Sequence, residues 1–212
     1  MPDPALTILQ LTDAGGGAGS TVVIASLSRE LARRGHRVLV GCRPSTVLAG
    51  LIRDAGLTVV PLDFGRLPML ARTLDGLMTS QRVDVVNSHA THDRRVLTWL
   101  RWRRRLPQPF VVTRHTMPLT SRAELLAIGF SADRTIAVSG AVARALRRRL
   151  YPSGRLRVVP NGIDPARVDE HPSDGELAAA RAALGDPEGR PVILVLARRK
   201  DQPVLLHGLA AL

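Results

Sequence analysis

Two histidines that follow neighbouring predicted strands have the clearest capacity for chemistry in this sequence. His89 ends the stretch VDVVNSH (83 to 89), and His115 ends PFVVTRH (109 to 115), where Arg114 precedes it. The carboxyl ends of parallel strands share one edge of a sheet, and an imidazole there can exchange a proton or a hydrogen bond near neutral pH. We therefore expect these side chains to line a crevice, with an ordinary loop histidine as the alternative at each position.

A glycine-rich segment, GGGAGST (15 to 21), lies between the first predicted strand and the first predicted helix. Glycines let backbone amides approach an anion, and a helix N-terminus adds a favourable partial charge. Neither the dinucleotide fingerprint G-x-G-x-x-G nor the P-loop ending in G-K-[ST] is present. The segment predicts phosphate or substrate binding, with a flexible turn as the alternative. Its candidate residues are Gly16, Gly17, Gly19 and Ser20.

The charge of the chain is strongly basic, with 30 Lys and Arg against 18 Asp and Glu and a formal net charge of +12. Lys200 is the only lysine. Because a chain that uses arginine almost exclusively owes part of its charge to coding bias, the charge does not predict a nucleic-acid partner. It does predict attraction to phosphates and anionic surfaces.

The cysteine content and the lengths of the apolar runs limit the kinds of site and the cellular location that we expect for the protein. Cys42 is the only cysteine, which excludes an internal disulfide and a multi-cysteine metal site. No acidic or thiol set completes a ligand group around the histidines, so we expect no metal and no cofactor. The first residues lack a basic region, and no apolar run reaches the length of a membrane span. We expect a cytoplasmic protein.

The segment WLRWRRRL (99 to 106) interleaves two tryptophans with arginines. We expect Trp99 and Trp102, three residues apart on a predicted helix, to face the sheet while the arginines are solvated. The second interpretation is peripheral contact with an anionic membrane at its inner face, because tryptophan and arginine both find partners there.

Apolar runs of strand length alternate with stretches of helical period, which predicts βαβ units and a parallel sheet. Seven strands with intervening helices make a doubly wound, Rossmann-like α/β domain over residues 1–164. A polar linker and a helix follow at 165–189, and RPVILVLA (190 to 197) predicts a buried strand that begins an incomplete second α/β domain over 190–212.

Several segments together resemble the family 4 retaining glycosyltransferases of the GT-B fold. They are the glycine-rich loop running into ELARRGHRVLV, then VDVVNSH, VVTRHT, IAVSGAVARAL and RVVPNGID. The last two are the most specific, and the resemblance covers about residues 6–212.

The resemblance implies two Rossmann-like domains facing a cleft, with the acceptor on the first and a nucleotide-diphosphate sugar on the second. It implies that Gly17, Gly19 and Ser20 lie near the donor phosphates and the acceptor, and that His115 faces the reacting sugar. His89 and Arg114 join these as substrate-binding candidates. The resemblance also implies that the chain crosses between domains at Asn161, Gly162 and Asp164.

The sequence departs from the family pattern in the second domain. Arg198 and Lys200, in the compressed loop LARRKDQ, stand where the family has two cations on the donor diphosphate. The family's two glutamates eight residues apart are not found. We therefore expect an acceptor half that is inactive alone and pairs with a missing C-terminal half. The expected reaction is hexosyl transfer to a glycan or lipid-linked acceptor in cell-envelope or polysaccharide synthesis.

Two other functions remain as alternatives. One is a non-catalytic α/β module that binds a nucleotide or an anionic lipid head group through the glycine-rich loop and the basic clusters. The other is an NADP-dependent reductase, for which Arg43 at the end of the second predicted strand could hold the 2′-phosphate.

Overall fold

The computed structural model of this chain describes residues 4–117, 120–163, 171–185 and 202–209. Contacts divide the chain into two units, Met1–Gly162 and Ile163–Leu212. The boundary predicted from sequence, Asp164, lies outside the described residues.

The first unit is built on a seven-stranded sheet with the order β3-β2-β1-β4-β5-β6-β7. All six strand pairs are parallel, so the predicted doubly wound α/β fold is confirmed. The strands are β1 Thr7–Leu11, β2 Arg37–Cys42, β3 Thr58–Pro61, β4 Val85–Ser88, β5 Phe110–Arg114, β6 Arg134–Ala137 and β7 Leu156–Val158.

Helices connect the strands. They are α1 Gly19–Arg33, α2 Val47–Asp54, α3 Leu67–Ser80, α4 Thr91–Trp102, α5 Arg122–Ser131 and α6 Gly140–Arg148. Side-chain oxygens of Thr46, Ser121 and Ser139 accept hydrogen bonds from backbone amides at the starts of α2, α5 and α6. Gly35 and Gly56 follow α1 and α2 with φ of +89° and +70°, a backbone conformation that glycine adopts without strain.

Alternation along the strands separates two cores on opposite faces of the sheet. Leu9 and Leu11 of β1 pack in one cluster with side chains of α3 and α4. Val38 and Val40 of β2 pack in a second cluster with α1 and α2. Because strand side chains point alternately to the two faces, the residue between Leu9 and Leu11, Gln10, points away from the first cluster.

The tryptophans of α4 do not face the sheet, so that prediction was wrong. Trp99 is 43% exposed and Trp102 is 65% exposed. The buried stripe of α4 is formed instead by Val96, Leu97 and Leu100, whose spacing of three and four fits the sheet side of the helix.

The second unit contains two helices among its described residues, α7 Asp174–Ala183 and α8 Gln202–Leu209. Ser173 and Glu176 form a capping box at the start of α7. The predicted strand at 190–197 lies outside the described residues.

Candidate functional site

The candidate site lies at the carboxyl edge of the sheet, where β1, β4 and β5 are adjacent. The chain continues from β1 into α1 and from β4 into α4, and these helices pack on opposite faces. This is the point in an open α/β sheet where strand order reverses and a crevice opens. His89, directly after β4, donates its backbone N–H to the carbonyl oxygen of Leu11 at 3.0 Å.

The glycine-rich loop leaves the N-terminus of α1 without a side-chain cap. Ala18 is the N-cap residue, and the first turn of α1 carries no acidic residue. Gly17 has φ of +81°. A Cβ at Gly15 would lie 2.9 Å from the Cβ and Oγ1 of Thr46, so these two positions require glycine. An uncapped helix N-terminus of this kind attracts an anion.

A polar network links β1, β4 and β5 beneath this edge. Asn87 donates from Nδ2 to Oε1 of Gln10 at 3.0 Å and accepts at Oδ1 from Oγ1 of Thr113 at 3.0 Å. Nε2 of His89 lies 2.7 Å from the same Gln10 oxygen. All four side chains are buried, so each hydrogen bond avoids the cost of an unpaired polar group.

The network assigns the proton positions on both candidate histidines. Oε1 of Gln10, which only accepts, lies 2.7 Å from Nε2 of His89, whereas the donor Nδ2 of Asn87 lies 3.2 Å from the same nitrogen. We therefore assign the proton of neutral His89 to Nε2, which leaves its Nδ1 as an acceptor. Nε2 of His115 lies 3.0 Å from that Nδ1 and therefore donates to it. Nδ1 of His115 is left as an acceptor, and it has no partner among the described residues.

Burial keeps both imidazoles neutral. It lowers the pKa of His89 well below the ordinary value, and the neighbouring His115 and Arg94 lower it further. Burial and then the positive charge of Arg94 lower the pKa of His115 to about 4. The two rings are stacked, with centroids 5.3 Å apart. At neutral pH Nδ1 of His115 is thus a buried hydrogen-bond acceptor at the end of this chain of groups.

A buried carboxylate shapes the turn from β4 into α4. Oδ2 of Asp93 accepts hydrogen bonds from Oγ of Ser88 at 2.6 Å, the N–H of His89 at 2.8 Å and the N–H of Ala90 at 2.9 Å. Burial raises the pKa of Asp93 to about 6 despite these bonds. Asp93 holds the backbone that carries His89.

A side-chain hydrogen bond joins the loop after β1 to α4. His92, in the first turn of α4, is hydrogen-bonded through Nδ1 to Oδ2 of Asp13, which follows β1. The glycine-rich loop and the two stacked histidines therefore lie at the same edge, on adjacent strands of the sheet.

The structure does not bring every predicted site residue to this crevice. Asn161 and Gly162 are exposed and follow β7, which is three strands from β4. Arg43 lies over the ring of Phe64 and 3.9 Å from Asp63, so its neighbours are protein groups rather than a vacant phosphate site. Asp164, Arg198 and Lys200 lie outside the described residues.

Sequence reasoning missed Gln10, Asn87, Thr113 and Arg94. A signal was present for the first two, because each interrupts an otherwise apolar strand: TILQL and VVNS. A polar residue at a core position of a strand needs a partner, which predicts a buried network. Arg94 lies in a basic, polar helix start and carried no such signal.

The described residues contain neither a cluster of metal ligands nor a helix that could span a membrane. Within residues 4–117, 120–163, 171–185 and 202–209, no three His, Cys, Asp or Glu side chains are grouped as metal ligands. Across the same ranges, no helix is long and apolar enough to span a bilayer.

Several solved structures share this fold. HepE of Anabaena, crystallised with UDP and glucose, is 20% identical with a TM-score of 0.75 over 97% of this chain and 58% of its own. A glycosyltransferase of Rickettsia africae is 17% identical with a TM-score of 0.78 over 98% of this chain and 57% of its own. Sucrose-phosphate synthase of Thermosynechococcus elongatus is 20% identical with a TM-score of 0.69 over 97% of this chain and 60% of its own.

This chain thus spans less than two thirds of the length of these structures. A comparison with curated protein sequences found no match. A family model described as Glycosyltransferase Family 4 matches residues 17–167, which is more than half of the chain. That range includes the glycine-rich loop from Gly17 and both stacked histidines. The chain belongs to Glycosyltransferase Family 4.

Proposed function

We propose that this chain forms the acceptor side of a glycosyltransferase that moves a sugar from a nucleotide-diphosphate sugar to a glycan or lipid-linked acceptor. The observation that carries the proposal is the buried chain of hydrogen bonds from Gln10 through His89 to His115. In a member of this family, this chain of hydrogen bonds ends on Nδ1 of His115, a buried acceptor without a partner among the described residues.

The donor class follows from the fold and from the uncapped start of α1. HepE binds UDP and glucose in its crystals. In this chain, the backbone amides from Gly17 to Ser20 form the part of the edge best suited to a diphosphate. We expect a UDP-hexose donor, held on its other side by a donor-binding domain that includes Arg198 and Lys200. Such a domain is either covalently attached or supplied by a partner chain.

The transfer step makes a bond from an acceptor oxygen to the anomeric carbon and breaks the bond from that carbon to the diphosphate. The nucleoside diphosphate leaves with the electron pair and takes up the proton of the acceptor hydroxyl. His115 does not hold that proton, because a pKa of about 4 makes it too weak a base at pH 7. The partly exposed ring of His115 instead lies against the sugar and orients it.

His89 acts through His115 rather than on substrate. Nδ1 of His89 accepts from Nε2 of His115 and so holds the orientation of that ring. His89 is itself held by Gln10. These are positioning residues, and they explain why the strand-end histidine pair is buried in a fully polar network.

The biological setting is cell-envelope or polysaccharide synthesis at the cytoplasmic face of a membrane. The support is the pair of exposed tryptophans on α4, Trp99 and Trp102, beside the arginines at 103–105. Exposed indole rings next to guanidinium groups favour the interface of an anionic bilayer.

The experiment measures transfer of labelled sugar from UDP-glucose and other UDP-hexoses to endogenous acceptors. A lysate of cells lacking this protein supplies acceptors and any partner, and the purified chain is added back. Transfer should depend on the chain. His115→Ala should lower transfer roughly 10²-fold, because it removes the ring that orients the reacting sugar.

The matched control is His171→Ala, since His171 is exposed and makes none of the hydrogen bonds described for the Gln10–His89–His115 network. It should transfer sugar at the wild-type rate. Absence of chain-dependent transfer, or equal rates for the two variants, would contradict the proposal.

A further inference from the structure

Two arginines are buried beside the stacked histidines. Arg114 ends β5 and is 4% exposed, and Arg94, in the first turns of α4, is 7% exposed. Arginine is almost never buried to this extent without a partner of opposite charge. Both therefore raise the question of which anion balances them.

Neither guanidinium is paired with a carboxylate of a described residue. None of the ion pairs between described residues includes Arg94 or Arg114. Arg94 donates from Nη2 to Oγ1 of Thr91 at 3.2 Å, and its Nε has no hydrogen-bond partner in the described part of the chain. Nη1 of Arg114 also lacks a partner there.

The nearby carboxylates are already engaged. Asp93 is hydrogen-bonded to the turn after β4, Asp13 to His92, and Glu124 to Arg95. These acids exert some attraction on Arg94. Burial and then the charge of Arg94 nevertheless lower the pKa of Arg114 to about 10. The two arginines thus repel each other in a site that burial has removed from solvent.

We propose that Arg94 and Arg114 form a subsite for a phosphate monoester on the acceptor substrate. Two guanidinium groups offer several N–H donors to a tetrahedral dianion, and they match its charge of about −2. The anion would relieve both the mutual repulsion and the unpaired buried donors. This inference rests on the proposed function, because it names the class of acceptor that the same crevice takes.

The position of the pair favours the acceptor over the donor as the source of the phosphate. The α1 N-terminus, suited to the donor diphosphate, follows β1. Arg114 ends β5, two strands away in the order β1-β4-β5. The charge of Arg94 also lowers the pKa of His115, so Arg94 lies close enough to act electrostatically on the imidazole that orients the sugar. A phosphate there would be anchored beside the reacting hydroxyl rather than on the leaving group.

The test uses the full chain and inorganic phosphate as the probe. Calorimetric titration should show one phosphate bound per chain, and phosphate should raise the temperature of unfolding by mass action. Arg94→Gln and Arg114→Gln should each weaken phosphate binding at least tenfold. Arg72→Gln, which removes an exposed arginine of α3, is the matched control and should bind phosphate as the wild type does.

Unfolding without phosphate separates a binding role from a structural one. If the arginines await an anion, both Gln variants should unfold at or above the wild-type temperature in phosphate-free buffer, because each removes an unbalanced buried charge. Lower unfolding temperatures together with no response of the wild type to phosphate would overturn the proposal.

A competition with UDP identifies the source of the phosphate. An excess of UDP should leave phosphate binding unchanged, whereas one-for-one displacement would assign the subsite to the donor and overturn the acceptor assignment. Because these measurements need no sugar transfer, failure here leaves the transfer test intact, and failure of transfer leaves the phosphate result intact.

Discussion

Replacing Gln10 with Leu tests the buried network most directly. Oε1 of Gln10 accepts from Nδ2 of Asn87 at 3.0 Å and from Nε2 of His89 at 2.7 Å. Leucine leaves both donors buried without that acceptor. At about 1–3 kcal/mol for each unsatisfied buried group, the loss in free energy of unfolding is about 2–6 kcal/mol.

The lower end of that range applies if His89 changes its protonated nitrogen. The proton would then move to Nδ1 of His89, which would donate to Nε2 of His115, and Nδ1 of His115 would carry the other proton. Nδ1 of His115 would then be a hydrogen-bond donor in place of an acceptor. Nitrogen-15 NMR of the imidazoles should therefore show Nε2 protonated on His115 in the wild type and Nδ1 protonated in Gln10→Leu.

Urea unfolding followed by tryptophan fluorescence is the stability assay. Both tryptophans, Trp99 and Trp102, lie on α4, so the signal reports the first unit alone. Gln108→Leu is the matched control, because Oε1 of Gln108 is buried with no hydrogen-bond partner in the described residues, so that its removal should leave stability unchanged or raise it. Equal stabilities for the two variants, with no change of imidazole protonation, would refute the account of the network.

Two further predictions concern pH and packing. Relative to His115→Gln, the wild type should lose up to about 3 kcal/mol of stability between pH 7 and pH 4, because the folded pKa of about 4 lies below the unfolded value of 6.5 and the unfolded chain binds the extra proton. Parallel pH profiles would contradict that burial. Gly41→Ala should destabilise by about 1–3 kcal/mol in urea titrations, since its Cβ would lie 2.6 Å from Leu11 Cδ2 and 2.7 Å from Leu62 Cδ1. Gly50→Ala, in open space within α2, should stabilise by about 0.5–1 kcal/mol, and a matching loss at both glycines would argue against the packing.

Helix α4, which carries both tryptophans, shows that the spacing of apolar residues does not by itself predict which face of a helix is buried. The run at 92–106 has apolar residues at several helical spacings, and the tryptophan pair looked like the buried face. In the structure α4 ends at Trp102, Arg104 has φ of +54°, and the smaller aliphatic residues fill the sheet side. Both choices satisfy the period of the helix. The space available against β4 and β5 decided between them, and that space is a property of the packed sheet.

The sequence alone determined the class of this protein. Strand-length apolar runs, glycines after α1 and α2, and strands ending in His89 and His115 follow from local periodicity and backbone preference, which act over a few residues. Only the tertiary structure decided that Gln10 holds His89, 79 residues away, and that Arg94 lies in the field of Arg114 and His115. Those contacts depend on strand order and register, because residues far apart in the chain become neighbours only when their strands pair in the sheet.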